Sequence, residues 1–223
     1  MMKLLSFLRT IPLPLVLAAV VVVLSLYGFY ELASDYRNSV AIARFDDEMT
    51  RRVQNWRDPV LDVVMKFITH SAGIFGMSLL TLSLWIYLRH NSRPSEAAAT
   101  VFLVIGGVAL SDVFKWLLRR VRPEEAMALI KTPITSSFPS GHSMSSLCWS
   151  MAAINAILLA AGVDPVTKVI VCLLAVVYAV AVGISRVYLG VHYPSDVLAA
   201  WLLGAAWVAV VMGFYSWDRS RAH

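Results

Sequence analysis

Arg186, His192 and Asp196 stand in one polar stretch, Ser185 to Asp196, between two long apolar runs. A neutral imidazole can attack an electrophile or carry a proton, and it needs a partner that fixes which ring nitrogen holds hydrogen. Asp196 follows His192 by four positions, so on a helical turn its carboxylate shares a face with the ring. Arg186 adds a planar fork of donors that matches phosphate. A second set, Pro139-Ser140-Gly141-His142, lies directly before another apolar run. Such a turn at a helix start presents backbone N–H groups and the positive end of the helix dipole to an anion. A third set is Lys115 and, seven positions on, Arg122-Pro123. Each set also has a plainer reading. The Arg186–Asp196 stretch can be a loop whose histidine caps a helix, Ser140 a helix cap and His142 an interfacial side chain. Asp112 and Lys115, three positions apart, can simply pair with each other.

These side chains must be placed by a membrane body. Hydrophobic residues make up 59% of the 223 positions, against roughly half in soluble domains, and mean hydropathy is +0.70. Five stretches lack charge over about 17 to 21 residues and a sixth, shorter, ends at Asp112; a helix needs about 20 apolar residues to cross a bilayer. The pattern predicts an all-α polytopic bundle of six transmembrane helices in one domain, residues 1–223. The spans fall near 10–30, 71–88, 97 onward through Asp112 and Lys115, 143–163, 169–185 and 197–217. Lys3 and Arg9 precede the first run, which is too long for a signal-peptide core and reads as a retained helix.

The long polar segment after span one has its own order. Phe45, Met49, Val53 and Trp56 recur at helical spacing with Arg51, Arg52 and Arg57 among them. That is a short amphipathic helix, either lying in the membrane interface or packed on the protein with its polar side solvated. Pro59 can open a second short helix over 60–68. Cys148 and Cys172 sit inside apolar runs and read as core residues, not as a disulfide or metal site. The net charge of +5 is spread through membrane-flanking loops without a long basic run. Anionic lipid headgroups or phosphate are therefore the expected partners, and nucleic acid is not.

Six spans impose a parity. The loops after spans one, three and five share one side, so Lys115, Arg122, Ser140, Gly141, His142, Arg186, His192 and Asp196 gather at one face. Three cations, a helix start, two histidines and an orienting carboxylate describe a site where a dianionic group is displaced. His192 held by Asp196 can attack phosphorus, and His142 can protonate the leaving oxygen and then activate water. Lys115, Arg122 and Arg186 would neutralise charge as Mg²⁺ does elsewhere. The acids on this side apart from Asp196 are Glu124, Glu125 and those of the long loop, so no cofactor or metal is called for.

Lys115 with Arg122-Pro123, then Pro139-Ser140-Gly141-His142, then Ser185-Arg186 with His192 and Asp196 resembles the complete three-part signature of the type 2 phosphatidic acid phosphatase (PAP2) superfamily. The resemblance covers about half the chain, from the third span to the sixth. It implies metal-independent hydrolysis of lipid phosphates, with His192 as nucleophile, Asp196 as its orienter and His142 as general acid. It makes Lys115, Arg122, Ser140, Gly141 and Arg186 the phosphate holders. Arg119 and Arg120 lie outside the signature and read as interfacial anchors.

The expected substrates are undecaprenyl diphosphate and phospholipid phosphates such as phosphatidylglycerophosphate and phosphatidate. A lipid-to-lipid phosphotransferase or a lipid A phosphatase could use the same site. A transporter fits less well, because the ionisable residues gather at one face and the centres of spans four to six hold none. The start at Lys3 and Arg9, free of acids, and the resemblance both place the N-terminus inside a bacterial inner membrane and the site outside. The greater number of Lys and Arg on the site's own side runs against that rule, although many of them lie in the long, acid-balanced loop. Oligomeric state is left open.

Overall fold

Charge-free runs too long to be soluble become helices, because only a helix satisfies its own backbone in hydrocarbon. The computed structural model describes residues 13–36 and 39–221, with side chains through Trp217; Lys3 and Arg9 lie outside the described residues. Eight α-helices follow in order: α1 Leu13–Asp35, α2 Val40–Gln54, α3 Pro59–Ser71, α4 Ile74–His90, α5 Pro94–Leu118, α6 Gly141–Leu158, α7 Pro165–Tyr188 and α8 Pro194–Arg221. One 3₁₀ turn, Glu125–Met127, interrupts the loop before α6, and no strand occurs among the described residues. The all-α expectation holds.

Four of these helices, α1, α5, α7 and α8 up to Trp217, are long and apolar enough to cross a membrane. The second expected span, 71–88, is instead the α4 half of a pair, α3 and α4, bent by 59° and jointly apolar enough to make a fifth. The bend arises where Gly73 leaves helical geometry, at ψ 175°. The fourth expected span is α6, which has 18 residues and ends at Leu158, short of 163. Composition alone does not qualify α6 as a span, because serines fill its first half. Those serines are buried, and Ser145 and Ser146 donate back to carbonyls of His142 and Ser143. This makes a polar helix tolerable inside a bundle.

The central α6 packs against α5, α7 and α8, while α1 lies along α8. Phe29, Leu103, Met144, Cys148, Val182 and Leu203 belong to the shared core. Many apolar side chains of α1, α4 and α7 stay exposed, Phe75 and Leu174 among them, as expected of surfaces facing lipid. Cys148 is buried and Cys172 partly so, and neither is bonded.

The helices of the first long loop pack on the protein. In α2, Asp46 and Val53 are buried while Phe45 and, just past its end, Trp56 remain exposed, so the side that carries Asp46 and Val53 docks against α7 and α8. The second short helix opens at Pro59 as expected and runs to Ser71, capped by Asp58 on the N–H groups of Val60 and Leu61. It is tied to the end of α7, where the Tyr188 hydroxyl donates to Asp62 at 2.6 Å and accepts from the Asp58 N–H at 3.1 Å.

Candidate active site

Four element ends meet at one face. Helix α5 delivers Lys115 in its last turn and stops at Arg119, whose φ of +51° turns the chain across the bundle. Helix α6 begins at the buried Ser140. Helix α7 carries Arg186 in its last turn, and Asp196 stands in the first turn of α8. Between them Gly190, at φ +73°, folds the chain back. A Cβ there would lie 2.5 Å from the Met127 carbonyl oxygen, so both conformation and space require glycine. All eight residues singled out by spacing reach this face.

His192 is almost fully buried. Its Nδ1 lies 3.3 Å from Asp196 Oδ2, which also accepts the Tyr193 N–H at 2.9 Å. Its Nε2 lies 3.2 Å from Arg122 Nη1. Burial, and then the nearby Arg186, Arg122 and Lys115, hold the ring well below the usual histidine range. The imidazole is therefore neutral at physiological pH. With hydrogen on Nδ1 facing Asp196, Nε2 carries the lone pair, which accepts from Arg122 Nη1 until a substrate phosphate takes up that guanidinium.

Arg122 is held by carbonyl oxygens, with Nε donating to Thr135 at 2.8 Å and Nη1 to Val191 at 2.8 Å. Arg186 is buried, and its Nη1 donates to Thr69 Oγ1 of α3 at 2.5 Å. Its Nε has no hydrogen-bond partner among the described residues. Among the described residues neither arginine has a carboxylate within ion-pair distance. Two guanidinium groups converging without an anion beside a histidine form a receptor for one.

Ser140 is the N-cap residue of α6, but its side chain accepts no bond from the helix's N–H groups. It accepts the Ser143 hydroxyl at 2.9 Å, which leaves its own O–H to donate. The first N–H groups of α6 likewise have no carbonyl within their own helix. Lys115 Nζ pairs with Asp112 Oδ1 at 2.9 Å, so the simple pairing and the candidate role coexist. A Cβ on Gly141 would come within 2.8 Å of that Nζ and 3.6 Å of Ser111 Oγ. Glycine there lets the ammonium close on the helix start. Gly141→Ala should therefore lower kcat/KM for lipid phosphate by about tenfold through displacement of Lys115, with Tm little changed. A thermal melt beside initial-rate kinetics checks both halves, and unaltered kinetics would remove the close approach from the account.

His142 lies in the first turn of α6 with Nε2 3.6 Å from the place a Cβ on Gly73 would occupy, at the α3–α4 bend. Two cavities border this face. One, of about 830 Å³, is lined by Lys115, Arg122, Thr135 and Ser136 among others. The other, of about 690 Å³, is an apolar groove between α4 and α5 that ends at Asp112.

One expectation is corrected. Arg119 is exposed, as an anchor should be, with its guanidinium 5.8 Å from the Trp116 ring centroid. Arg120 is not an anchor. Its side chain is 10% exposed and bonds Asp196 Oδ1, Asp46 Oδ2 and Ser195 Oγ at 2.6, 2.6 and 2.7 Å. Two buried carboxylates outweigh burial and keep this arginine charged. Asp46, Thr69 and Ser195 were not expected at the site. Asp46 did carry a signal, since it shares a helical face with Met49 and Val53, where an acid is out of place unless it is partnered.

The sequence profile of the PAP2 superfamily matches residues 96–220. Phosphatidylglycerophosphatase B of Bacillus subtilis is 33% identical over 197 residues, covering 85% of this chain and 93% of that protein. Undecaprenyl-diphosphatase of Sulfolobus acidocaldarius is 28% identical, covering 74% and 75%. The crystal structure of a transmembrane PAP2-type phosphatidylglycerolphosphate phosphatase from Bacillus subtilis superposes with a TM-score of 0.79 at 30% identity, covering 87% of this chain and 96% of the other.

Proposed function

The chain belongs to the PAP2 superfamily, and on that premise we propose that this multi-pass membrane hydrolase cleaves undecaprenyl diphosphate and phospholipid phosphates through a phosphohistidine on His192. The observation that carries this reading is the pair Arg122 and Arg186, both without a carboxylate, beside the neutral, Asp196-bound His192. The names of the relatives, a phosphatidylglycerophosphatase and an undecaprenyl-diphosphatase, support the two substrate classes.

The lone pair of His192 Nε2 attacks phosphorus in line with the ester or anhydride oxygen. The P–N bond forms as the P–O bond breaks, and His142, which holds a proton among these cations once the anionic substrate offsets their charge, gives it to the departing oxygen. Charge on the three equatorial oxygens falls to Lys115, Arg122, Arg186, the Ser140 hydroxyl and the N–H groups from Gly141 onward. The phosphorylated ring is cationic, and Asp196 stabilises it. Water, losing a proton to His142, then attacks phosphorus. The P–N bond breaks, phosphate departs and His192 is neutral again.

The apolar groove between α4 and α5 offers the lipid chain a path that stays in the membrane. We place the site on the outer face of a bacterial inner membrane, with six crossings in one domain over residues 1–223, the α3–α4 pair and α6 supplying two of the six. The test is phosphate release by the purified protein from undecaprenyl diphosphate, phosphatidylglycerophosphate, phosphatidate and a lipid A 1-phosphate, with and without excess EDTA. Release from the first three, nearly unchanged in EDTA, is expected because three side-chain cations fill the role of a metal clamp. A large loss restored by Mg²⁺ would overturn that clamp. Transfer to an acceptor lipid without free phosphate would make the enzyme a phosphotransferase.

A further inference from the structure

We propose that Asp46 and Arg120 are positioning residues for this reaction, reaching from the first loop to hold Asp196 against His192. The inference rests on the reading above, in which His192 becomes phosphorylated. Asp196 is fully buried and divides its oxygens. Oδ2 serves His192 and the Tyr193 N–H, while Oδ1 accepts Arg120. Arg120 is itself gripped from behind by Asp46 Oδ2. Asp46, equally buried, comes from α2, 149 residues before its partner Ser195. Its Oδ1 accepts the Ser195 N–H at 2.9 Å and its Oδ2 the Ser195 hydroxyl at 2.6 Å.

Two consequences follow from this geometry. First, Asp46 caps α8 from a distant helix, satisfying a backbone donor that the first turn leaves open. Asp196 sits in that same turn, so its carboxylate is aimed by wherever the cap holds the helix start. Second, Arg120 stands between two buried carboxylates that would otherwise repel, and it bonds both. The guanidinium carbon lies 4.3 Å from the Tyr193 ring centroid and 5.2 Å from that of Tyr36. Neither Asp46 nor Arg120 bonds His192, Arg122 or Arg186 among the described contacts, so their influence passes through Asp196. Its value is greatest when the imidazole turns cationic on accepting the phosphoryl group. The step they serve is phosphoryl capture, and substrate binding should be nearly indifferent to them.

The experiment compares Asp46→Asn and Arg120→Lys in the wild-type and Asp196→Asn backgrounds, reading the single-turnover rate of His192 phosphorylation and KM. Asparagine keeps the acceptor for the Ser195 N–H, and lysine keeps the charge while losing the bridge. Each variant is expected to slow phosphorylation by about tenfold in wild type, as for residues sharing one bonded network, with KM within about twofold. In Asp196→Asn the further loss should be less than about twofold, since the group they act through is already altered. Equal losses in both backgrounds, or a change confined to KM, would overturn the inference. Wild-type rates in both variants would also overturn it, while leaving the proposed function standing if His192→Ala is inactive. Turnover or labelling that survives His192→Ala would overturn the function itself. Asp46→Asn spares the Arg120–Asp196 bond and Arg120→Lys spares the Asp46–Ser195 bonds, so a folding failure in one leaves the cycle readable from the other. If neither folds, the pair is structural and the proposal falls.

Discussion

His192→Ala should abolish phosphate release from every lipid substrate, a loss of about 10⁴-fold or more, because it removes the attacking atom and not merely its orientation. Rapid quenching with a ³²P-labelled substrate should show acid-sensitive label on the wild-type protein and none on the variant. Asp196→Asn should retain residual turnover, down by on the order of 10²–10⁴-fold, since the nucleophile survives with a poorer partner. The pH profile adds an independent check. Burial and the surrounding cations keep His192 neutral to well below the ordinary histidine range. Protonation would remove the Nε2 lone pair, so any acid limb of kcat/KM due to His192 should lie below about pH 6.5. Label that persists in His192→Ala would mean that another residue attacks.

His142→Ala should discriminate between substrates by their leaving groups. Cleaving a monoester such as phosphatidate expels an alkoxide, a strong base that needs a proton as the bond breaks. Cleaving undecaprenyl diphosphate expels a phosphate monoester, a far weaker base that leaves with less help. General-acid assistance is worth roughly 10²–10⁴-fold where it is needed, and the monoester should lose an amount in that range. The diphosphate should lose markedly less in the same step. Single-turnover phosphorylation is the right observable, because breakdown of the phosphohistidine also draws on His142 and would slow both substrates alike. His142 has the position for this task, in the first turn of α6 with its ring facing the α3–α4 bend at Gly73. Equal losses on both substrates, in a variant with unchanged Tm, would reduce His142 to a phosphate hydrogen-bonder.

Much of this protein was legible from residue type and spacing, for a physical reason. A bilayer imposes one length on every crossing, so long charge-free runs mark α1, α5, α7 and α8 without knowledge of their neighbours. The four-residue step from His192 to Asp196 is local, and the 3.3 Å contact forms with His192 in the bend just before α8 and Asp196 in that helix's first turn. Parity over six expected spans predicts the three motifs at one face, where all eight candidate residues are found. Composition misled where average hydropathy stands in for partnership. The serines of α6 lower its hydropathy yet are buried, Ser145 and Ser146 bonded to the helix's own carbonyls, and the span expected to begin at residue 71 is the second arm of a bent pair.

Tertiary structure alone decided what lies behind His192. Arg120 resembles any cation at a membrane boundary until α2 docks and places Asp46 against it, 74 residues away in sequence. The Arg186 contact with Thr69 spans 117 positions, and the Asp46 cap on α8 spans 149. No periodicity encodes such distances. An ionisable side chain is costly to bury alone and acceptable when paired, and its partner is chosen by which helix faces pack together.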